Sequence, residues 1–196
     1  MELFEAIHAR RAVRKYRPGP VPEEEIKMIL DAANQAPSAM NLQQWEFVVV
    51  TRKETIHQMG ASYRAIVEEF TRNWDPSPLR GSLSREEFVR FAESYGGAPV
   101  VIVVLTDTAD AENFRKANLE SASAATENLL LAATALGLGT CWMTGPLQDG
   151  KALRRILAIP DTKELVAVTP LGYPDVVPPA PARIDPDLVQ KVRWVR

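Results

Sequence analysis

An uninterrupted apolar run in the middle of the chain restricts the fold more than any other feature. It extends from Val100 to Leu105, reads VVIVVL, and is rich in β-branched residues, which favour strands. A strand with one face in water alternates apolar and polar residues, and this run does not. It therefore predicts a strand over residues 98–106 that is buried on both faces.

Other segments predict helices and strands around this one. Residues 22–35 predict a helix, because Pro22 suits its first turn and the three glutamates after it suit its positive N-terminal end. The first residues carry only a weak helical stripe. The remaining predictions are strands at 45–50, 140–144 and 165–173, helices at 53–69, 84–95 and 111–136, and a loop at 73–81.

The helix predicted at 111–136 ends at Gly137 and has many small residues on one side, among them Ala122, Ala125 and Ala132. Small residues permit the close approach of a neighbouring helix. Two interpretations stay open: a helix inside the core, or a core helix that also forms the centre of a dimer interface. After Pro174 the chain is proline-rich with little core pattern, which predicts an extended arm, either disordered or laid across a partner.

Composition narrows the possible classes of protein. With 196 residues and 46% hydrophobic content, we expect one domain over residues 1–196. A net charge of −2 does not suggest a nucleic-acid binder. No apolar run is long enough for a membrane span, no secretory signal is evident, and Cys141 alone forms no internal disulfide, so we expect a cytoplasmic protein. His8, His57 and Cys141 lie too far apart to indicate a zinc site.

Familiar nucleotide motifs are missing from the sequence. The G-x-G-x-x-G pattern is absent, because Gly137 and Gly139 lack the third glycine and precede a predicted strand. The P-loop pattern is absent too. A nucleotide cofactor would have to be held in another way.

An arginine cluster near the start is the first candidate site. Arg10, Arg11 and Arg14 fall within five residues at the end of a short predicted helix. Guanidinium groups bind phosphate through two parallel hydrogen bonds. The alternative is a solvated basic face, or cations that stabilise the negative end of the helix.

Three further segments contain candidate binding residues. The segment 36–45 (APSAMNLQQW) offers amides and small residues that suit the edge of a heterocycle, or simply form a helix-to-strand turn. The segment 137–146 (GLGTCWMTGP) allows backbone to approach a ligand, or is a helix end followed by a buried strand. The segment 170–174 (PLGYP), followed by Arg183, is uninformative alone.

Taken in order, these motifs resemble the nitroreductase family. They are R-R-x-V-R, A-P-S-x-x-N-x-Q-x-W, G-L-G-T-C-W and P-L-G-Y-P, and the resemblance extends from about Arg10 to Arg183. It is weakest between about residues 63 and 95. The pattern is specific for the family and says little about the substrate.

The resemblance implies an α+β fold with a mainly antiparallel central sheet flanked by helices, in an intertwined homodimer. Two FMN molecules are then expected at the subunit interface. Long central helices and exchanged terminal arms, here residues 174–196, would form the dimer, and the region 63–95 would form a lid over the flavin.

The resemblance also implies roles for individual residues. Arg10, with Arg11 and Ala12 beside it, should bind the FMN phosphate, and Arg183 should close on it. Arg14 should face the N1/O2 side of the flavin, where its charge would stabilise the anionic reduced form. Residues near flavin N5 should be Met143, Thr144 and Gly145. Residues from the other subunit should be Pro37, Ser38, Ala39, Asn41 and, less securely, Gln43.

Two positions depart from the family pattern. The family often has serine where this chain has Ala12, so one hydroxyl contact to phosphate is lost. It usually has proline where this chain has Gln44. Neither change removes a charge, so we expect weaker flavin binding at most.

The implied reaction is ping-pong. NADH or NADPH gives hydride to flavin N5 and leaves, and an acceptor such as a nitroaromatic or a quinone then takes the electrons. The flavin does the chemistry, so no catalytic acid or base and no metal is expected. The aromatic residues Trp74, Phe88, Phe91 and Tyr95 would stack on a flat acceptor, or are ordinary core residues.

Two details bear on the type of chemistry. Thr144 matches a position where some relatives, the deiodinases and the flavin-fragmenting enzymes, place a hydroxyl at N5 that favours one-electron steps; the alternative is a hydroxyl that satisfies local backbone. Deiodinases hold an amino-acid zwitterion with a lysine, a tyrosine and a glutamate of the lid, and this chain has no lysine between Glu54 and Arg115. Alternatives to a nitroreductase are a flavin-fragmenting or dehalogenating enzyme, a non-catalytic FMN-binding protein, and a binder of another small ligand.

Overall fold

The computed structural model describes residues 1–73 and 83–196. Its centre is a four-stranded antiparallel sheet in the order β1-β2-β4-β3. The strands are β1 (Trp45–Val50), β2 (Val100–Asp107), β3 (Gly139–Thr140) and β4 (Lys163–Gly172). The α-helices are α1 (Leu3–Ala9), α2 (Glu23–Asn34), α3 (Lys53–Phe70), α4 (Arg85–Ser94), α5 (Glu112–Ala135) and α6 (Gly150–Leu157). The predicted antiparallel sheet flanked by helices is confirmed.

The apolar run forms the inner strand β2, which pairs with β1 on one edge and β4 on the other. Its side chains alternate between two cores. Ile102 packs with residues of α2 and α5, whereas Val101 and Val103 pack with residues of α3 and α4. All residues of the run are at most 2% exposed. The prediction of a strand buried on both faces is confirmed, and the fold has three layers.

Local sequence explains how the helices begin and which face they bury. At α2 the first turn carries Glu23, Glu24 and Glu25, and the buried face includes Ile26 and Ile29. At α4 the Ser84 side chain accepts a hydrogen bond from the Glu87 amide at 3.2 Å, and Glu87 Oε2 accepts one from the Ser84 amide at 2.7 Å. This reciprocal cap fixes the start of α4.

Two elements differ from the prediction. The strand expected at 140–144 is wrong in extent, because β3 ends at Thr140 and only Met143 still bonds to β4, through a single bridge to Val168. Pro146 and the 3-10 turn Gly145–Asp149 end the extended segment. Helix α6 was not predicted, although Asp149 caps its start by accepting a hydrogen bond from the Ala152 amide at 3.1 Å.

The chain after Tyr173 is irregular and mostly exposed. Asp185 orders one turn of it by accepting hydrogen bonds from the amides of Val189, Gln190 and Lys191 at 2.9–3.2 Å. Among the residues that the structure describes, no helix combines the length and the apolar character needed to cross a membrane.

Candidate functional site

The arginine segment is fixed beside the short strand β3. The Val13 amide donates to the Thr140 carbonyl at 2.8 Å, and Ala12 forms a parallel bridge with Thr140. A side chain at Gly139 would place its Cβ 2.8 Å from the Val13 side chain, so glycine is what lets the two segments approach. Farther on, the Tyr16 amide donates to the Gly96 carbonyl at 3.0 Å. The backbone on both sides of Arg14 is therefore held in place.

The three arginines have different surroundings. Arg10 Nε lies 3.3 Å from Glu127 Oε1 on α5. Arg11 Nη1 donates to the carbonyls of His8 at 2.6 Å and Arg10 at 2.7 Å, so part of its guanidinium caps the end of α1. Arg14 has one hydrogen bond, to the Ala12 carbonyl at 3.3 Å, and no ion pair with any described residue. Its charge remains available to a ligand.

Arg14 lines a cavity of about 280 Å³ together with Met143, Thr144 and Gly145. The structure thus brings together four of the predicted site residues from distant parts of the sequence. The other described lining residues are mostly apolar: Tyr63, Ile66, Val67, Phe70, Leu83, Phe88, Phe91, Cys141, Trp142 and Gln148. A flat ring system with polar edges suits such a lining.

Two side chains in this cavity differ in what they offer a ligand. Thr144 is exposed at the start of the 3-10 turn, and its hydroxyl makes no hydrogen bond with the described chain. The alternative role, a hydroxyl that satisfies local backbone, is therefore wrong for this structure. Cys141 is buried, and burial raises the pKa of its thiol, while the nearby Arg14 acts in the opposite direction. A thiol with a raised pKa is a poor nucleophile.

A second cavity of about 600 Å³ shares Arg14, Leu83 and Phe91 with the first. It also contains Ala12, which was predicted to lie near a phosphate. Two further cations, Lys15 and Arg90, line it, and Lys15 Nζ is paired with Asp175 Oδ2 at 2.8 Å. Arg14 therefore stands where the two cavities meet.

The loop 36–44 lies apart from both cavities within one chain. The Ala39 amide donates to Ser121 Oγ on α5 at 3.1 Å, and the Gln43 amide donates to Ser38 Oγ at 3.0 Å. Pro37, Asn41 and Gln43 are exposed. None of these residues lines the two cavities described above.

This loop is also strained. Met40, Asn41 and Gln43 have φ of 52°, 55° and 51°. Asparagine tolerates this left-handed region, whereas Met40 and Gln43 adopt it at a cost. Strained backbone in an exposed loop that carries amides is often found at binding sites.

Arg183 is exposed in the C-terminal segment and makes no hydrogen bond or ion pair with the described residues. Within one chain it does not line the cavities around Arg14. Its predicted role as a second phosphate ligand stays a prediction.

The aromatic residues divide into two groups. Phe88 and Phe91 line the cavity as predicted, but Tyr95 is 0% exposed, so the prediction that it stacks on an acceptor is wrong. Trp74 lies outside the described residues. Sequence reasoning missed Tyr63, Trp142 and Gln148, which do line the cavity. Trp142 sits within the 137–146 motif and Tyr63 is the first residue of the predicted lid region 63–95, whereas Gln148 had no signal in the sequence.

No group of histidine, cysteine, aspartate and glutamate in the two described stretches is arranged to hold a metal ion. The described residues of the first cavity carry one charge, that of Arg14. The arrangement can therefore bind and orient an uncharged ring system and stabilise a negative charge at one edge of it.

Comparison with known proteins gives a consistent result. The model of the nitroreductase family matches residues 7–173. A protein of Methanothermobacter thermautotrophicus, provisionally named an NADH dehydrogenase/NAD(P)H nitroreductase, is 35% identical over 99% of this chain and 88% of its own. Rat iodotyrosine deiodinase 1 is 32% identical over 88% of this chain and 62% of its own length.

A solved structure shows the same fold. The crystal structure of an oxidised iodotyrosine deiodinase bound to FMN and 3-iodo-L-tyrosine superposes with a TM-score of 0.79. It is 25% identical and covers 100% of this chain and 98% of that one.

Proposed function

The chain belongs to the nitroreductase family, and from this membership we propose that it is an FMN-dependent oxidoreductase. NADH or NADPH is the proposed electron donor, and nitroaromatics, quinones or similar flat compounds are the proposed acceptors. The main support for this proposal is the cavity that Arg14 lines together with Met143, Thr144 and Gly145. These residues come from the two motifs that the family resemblance assigned to opposite edges of the flavin.

The residues present fit FMN. Arg14, which makes no ion pair with the described residues, offers its guanidinium to the N1/O2 edge of the ring, and Thr144 offers a hydroxyl that makes no hydrogen bond with them. Arg10, Arg11 and the backbone at Ala12 are the proposed phosphate ligands, with Arg183 as a further one. Bound FMN supplies the electron transfer, so the protein needs to bind, orient and shield rather than to provide an acid or base.

The Thr144 hydroxyl is the proposed contact to N5 and the proposed source of one-electron chemistry. If this is correct, photoreduction of the FMN-loaded Thr144→Ala variant will accumulate less one-electron-reduced flavin than the parent protein. Thr144→Ser, which keeps the hydroxyl, will behave like the parent. Equal yields in all three proteins would refute this part of the proposal.

A homodimer completes the proposed site. The loop residues Pro37, Ser38, Ala39, Asn41 and Gln43 would reach the flavin of a second copy, which explains why they lie apart from the cavities of their own chain. The C-terminal segment supports this assembly, because Ile184, Trp194 and Val195 are 78–84% exposed. Apolar side chains so exposed in one segment are characteristic of a surface that another chain covers.

A deiodinase-type reductive dehalogenase is the second candidate, favoured by the likeness to iodotyrosine deiodinases. The cavity argues against an amino-acid substrate, because its described lining has neither a carboxylate nor a lysine to pair with a zwitterion. A flavin-fragmenting enzyme and a non-catalytic FMN-binding protein are the remaining alternatives. The lone buried thiol fits the proposal of a reducing, cytoplasmic compartment.

The test begins with the visible spectrum of the purified protein, in which bound FMN is expected. Anaerobic NADH or NADPH should bleach the flavin in a stopped-flow experiment, and a nitroaromatic or quinone should restore the colour. Bound flavin that neither nucleotide reduces would favour a binding protein. A protein that takes up no FMN on reconstitution would overturn the proposal.

A further inference from the structure

Tyr63 occupies a fixed position in the cavity although no motif indicated it. Its ring packs edge-to-face on Phe88, with centroids 6.4 Å apart, and stacks on Tyr95 at 6.0 Å. A Cβ built on Gly145 would lie 2.9 Å from Tyr63 Cε2 and 3.1 Å from its hydroxyl oxygen. The absence of a side chain at Gly145 therefore lets the tyrosine hydroxyl reach the turn that begins with Thr144.

The Tyr63 hydroxyl makes no hydrogen bond with any described residue, although the side chain is only 5% exposed and lines the cavity. Tyrosine hydroxyl groups that are largely buried normally find a partner. Tyr95 differs, because its hydroxyl is fully enclosed and has no described hydrogen-bond partner, whereas that of Tyr63 opens onto the cavity. A ligand that enters the cavity can therefore act as the hydrogen-bond partner of the Tyr63 hydroxyl.

The wall around this hydroxyl is unfavourable to ions. Arg14 is the one charged side chain among the described lining residues, and it is assigned to the flavin edge. A carboxylate or ammonium group in the remaining space would lose its hydration without gaining a partner. An uncharged aromatic compound would lose little and would contact Phe88, Phe91 and Trp142.

We propose that the cavity selects uncharged flat aromatic acceptors, and that the Tyr63 hydroxyl positions them by donating a hydrogen bond to a quinone or nitro oxygen. The inference rests on the proposed function, because it takes the cavity as the acceptor side of a flavin site. Tyr63 is a specificity-determining residue in this scheme.

Protonation supports the direction of the hydrogen bond. Burial, with a contribution from the nearby Cys141, raises the pKa of Tyr63 above its ordinary value, and Arg14 opposes this only in part. The hydroxyl therefore stays protonated and able to donate at neutral and mildly alkaline pH. We expect the contribution of Tyr63 to acceptor binding to be independent of pH between 6 and 9.

The test compares two conservative variants, Tyr63→Phe and Tyr95→Phe, in the FMN-loaded protein. Each removes one hydroxyl and keeps the stacked ring pair intact. Calorimetric titration with methyl benzoate and benzoate, which share a ring and a carbonyl and differ in charge, measures binding without turnover. We expect methyl benzoate to bind about tenfold more tightly than benzoate, Tyr63→Phe to weaken methyl benzoate roughly fivefold, and Tyr95→Phe to leave it unchanged.

Kinetics with a benzoquinone provide the second readout. Tyr63→Phe should raise KM roughly fivefold while kcat and the rate of flavin bleaching by the nucleotide stay unchanged. The inference is overturned if benzoate binds as well as its ester, if Tyr63→Phe has no effect, or if Tyr95→Phe has the same effect. If no nucleotide reduces the parent protein, the proposed enzyme activity fails, and the titration still decides the role of Tyr63.

Discussion

Two buried tyrosines, Tyr16 and Tyr95, differ in how their hydroxyl groups are satisfied. The Tyr16 hydroxyl can donate to either of two carbonyls, that of Val13 at 2.8 Å or that of Pro170 on β4 at 3.3 Å. The Tyr95 hydroxyl is enclosed at 0% exposure and has no hydrogen-bond partner among the residues that the structure describes. Burial raises the pKa of both groups, so both stay neutral and the difference between them is one of hydrogen bonding.

The same substitution at these two positions should have opposite effects on stability. Tyr95→Phe removes a buried group that lost its hydration without gaining a bond, so the free energy of unfolding should rise by about 1 kcal/mol. Tyr16→Phe removes a satisfied donor and should lower it by about 1 kcal/mol. Urea unfolding of both variants measures this, and a loss of stability in Tyr95→Phe would show that its hydroxyl has a partner after all.

At Arg10, an ion pair with Glu127 competes with the FMN phosphate that this arginine is proposed to bind. Glu127 occupies the Arg10 guanidinium at 3.3 Å, with the two side chains 44% and 32% exposed. Glu127→Gln should therefore lower the Kd for FMN about two- to fivefold, since an exposed pair contributes at most about 1 kcal/mol. The Kd for riboflavin, which has no phosphate, should not change.

Glu120→Gln is the matched control for that experiment, because Glu120 lies on the same helix and pairs with Lys116 instead of Arg10. It changes the net charge of the protein equally. An equal gain in FMN affinity from Glu120→Gln would mean that the effect is one of overall charge, and that Arg10 is not the phosphate ligand.

At the scale of whole elements, the sequence predicted which faces of a strand are buried, but it did not predict where every strand or helix ends. The run at residues 100–105 indicated a doubly buried strand, because only a strand with two covered faces dispenses with polar residues. The end of β3 depends on the turn at Gly145–Asp149 and on tertiary contacts that periodicity does not encode. Helix α6 had a signal, since Asp149 caps a segment with apolar residues at helical spacing, but the glycines beside it resemble a loop.

Of the residues in the candidate site, some were likewise predictable from sequence motifs and others were not. The motifs identified Arg14, Thr144 and Gly145, which the structure brings into one cavity. Tyr63 carries no motif, since its place depends on the packing of α3 against the turn at Gly145. The positive φ of Met40 and Gln43 was also beyond prediction, because neither residue favours that conformation.

An ion pair joins the start of α5 to β4 and should make stability depend on pH. Arg115 Nε and Nη2 donate to the two carboxylate oxygens of Glu164 at 2.8 and 2.7 Å. These bonds lower the pKa of Glu164 below its ordinary value of 4.5. A carboxyl group with a lowered pKa in the folded state stabilises it above the unfolded pKa and loses that effect as the pH falls.

Glu164→Gln should therefore lower the free energy of unfolding by about 0.5 to 1 kcal/mol at pH 7, a modest value because Arg115 is largely exposed. Near pH 3 the parent and the variant should converge. Urea unfolding at both pH values measures the difference, and the double variant with Arg115→Gln isolates the pair. A difference that persists at low pH would mean that packing, not charge, is responsible.

At the scale of the whole molecule, one chain contains only part of the proposed flavin site. The cavities are lined by Arg14 and the residues near Thr144, whereas Asn41 and Arg183 line neither of them, although Val176 and Pro178 of the C-terminal segment border the second. A second copy related by twofold symmetry would bring the missing residues to each site. Assembly and flavin binding should then depend on each other.

The C-terminal segment offers the sharpest test of that dependence. Replacing Ile184, Trp194 and Val195 together by serine removes exposed apolar surface that the proposed dimer would bury, without touching a flavin ligand. Sedimentation at several concentrations should show a dimer for the parent protein and a larger monomer fraction for the variant, with FMN content falling in parallel. Met28→Ser, at a 57% exposed position on α2, should change neither quantity. If the triple variant stayed dimeric and fully loaded with FMN, the C-terminal segment would not be the contact that joins the subunits.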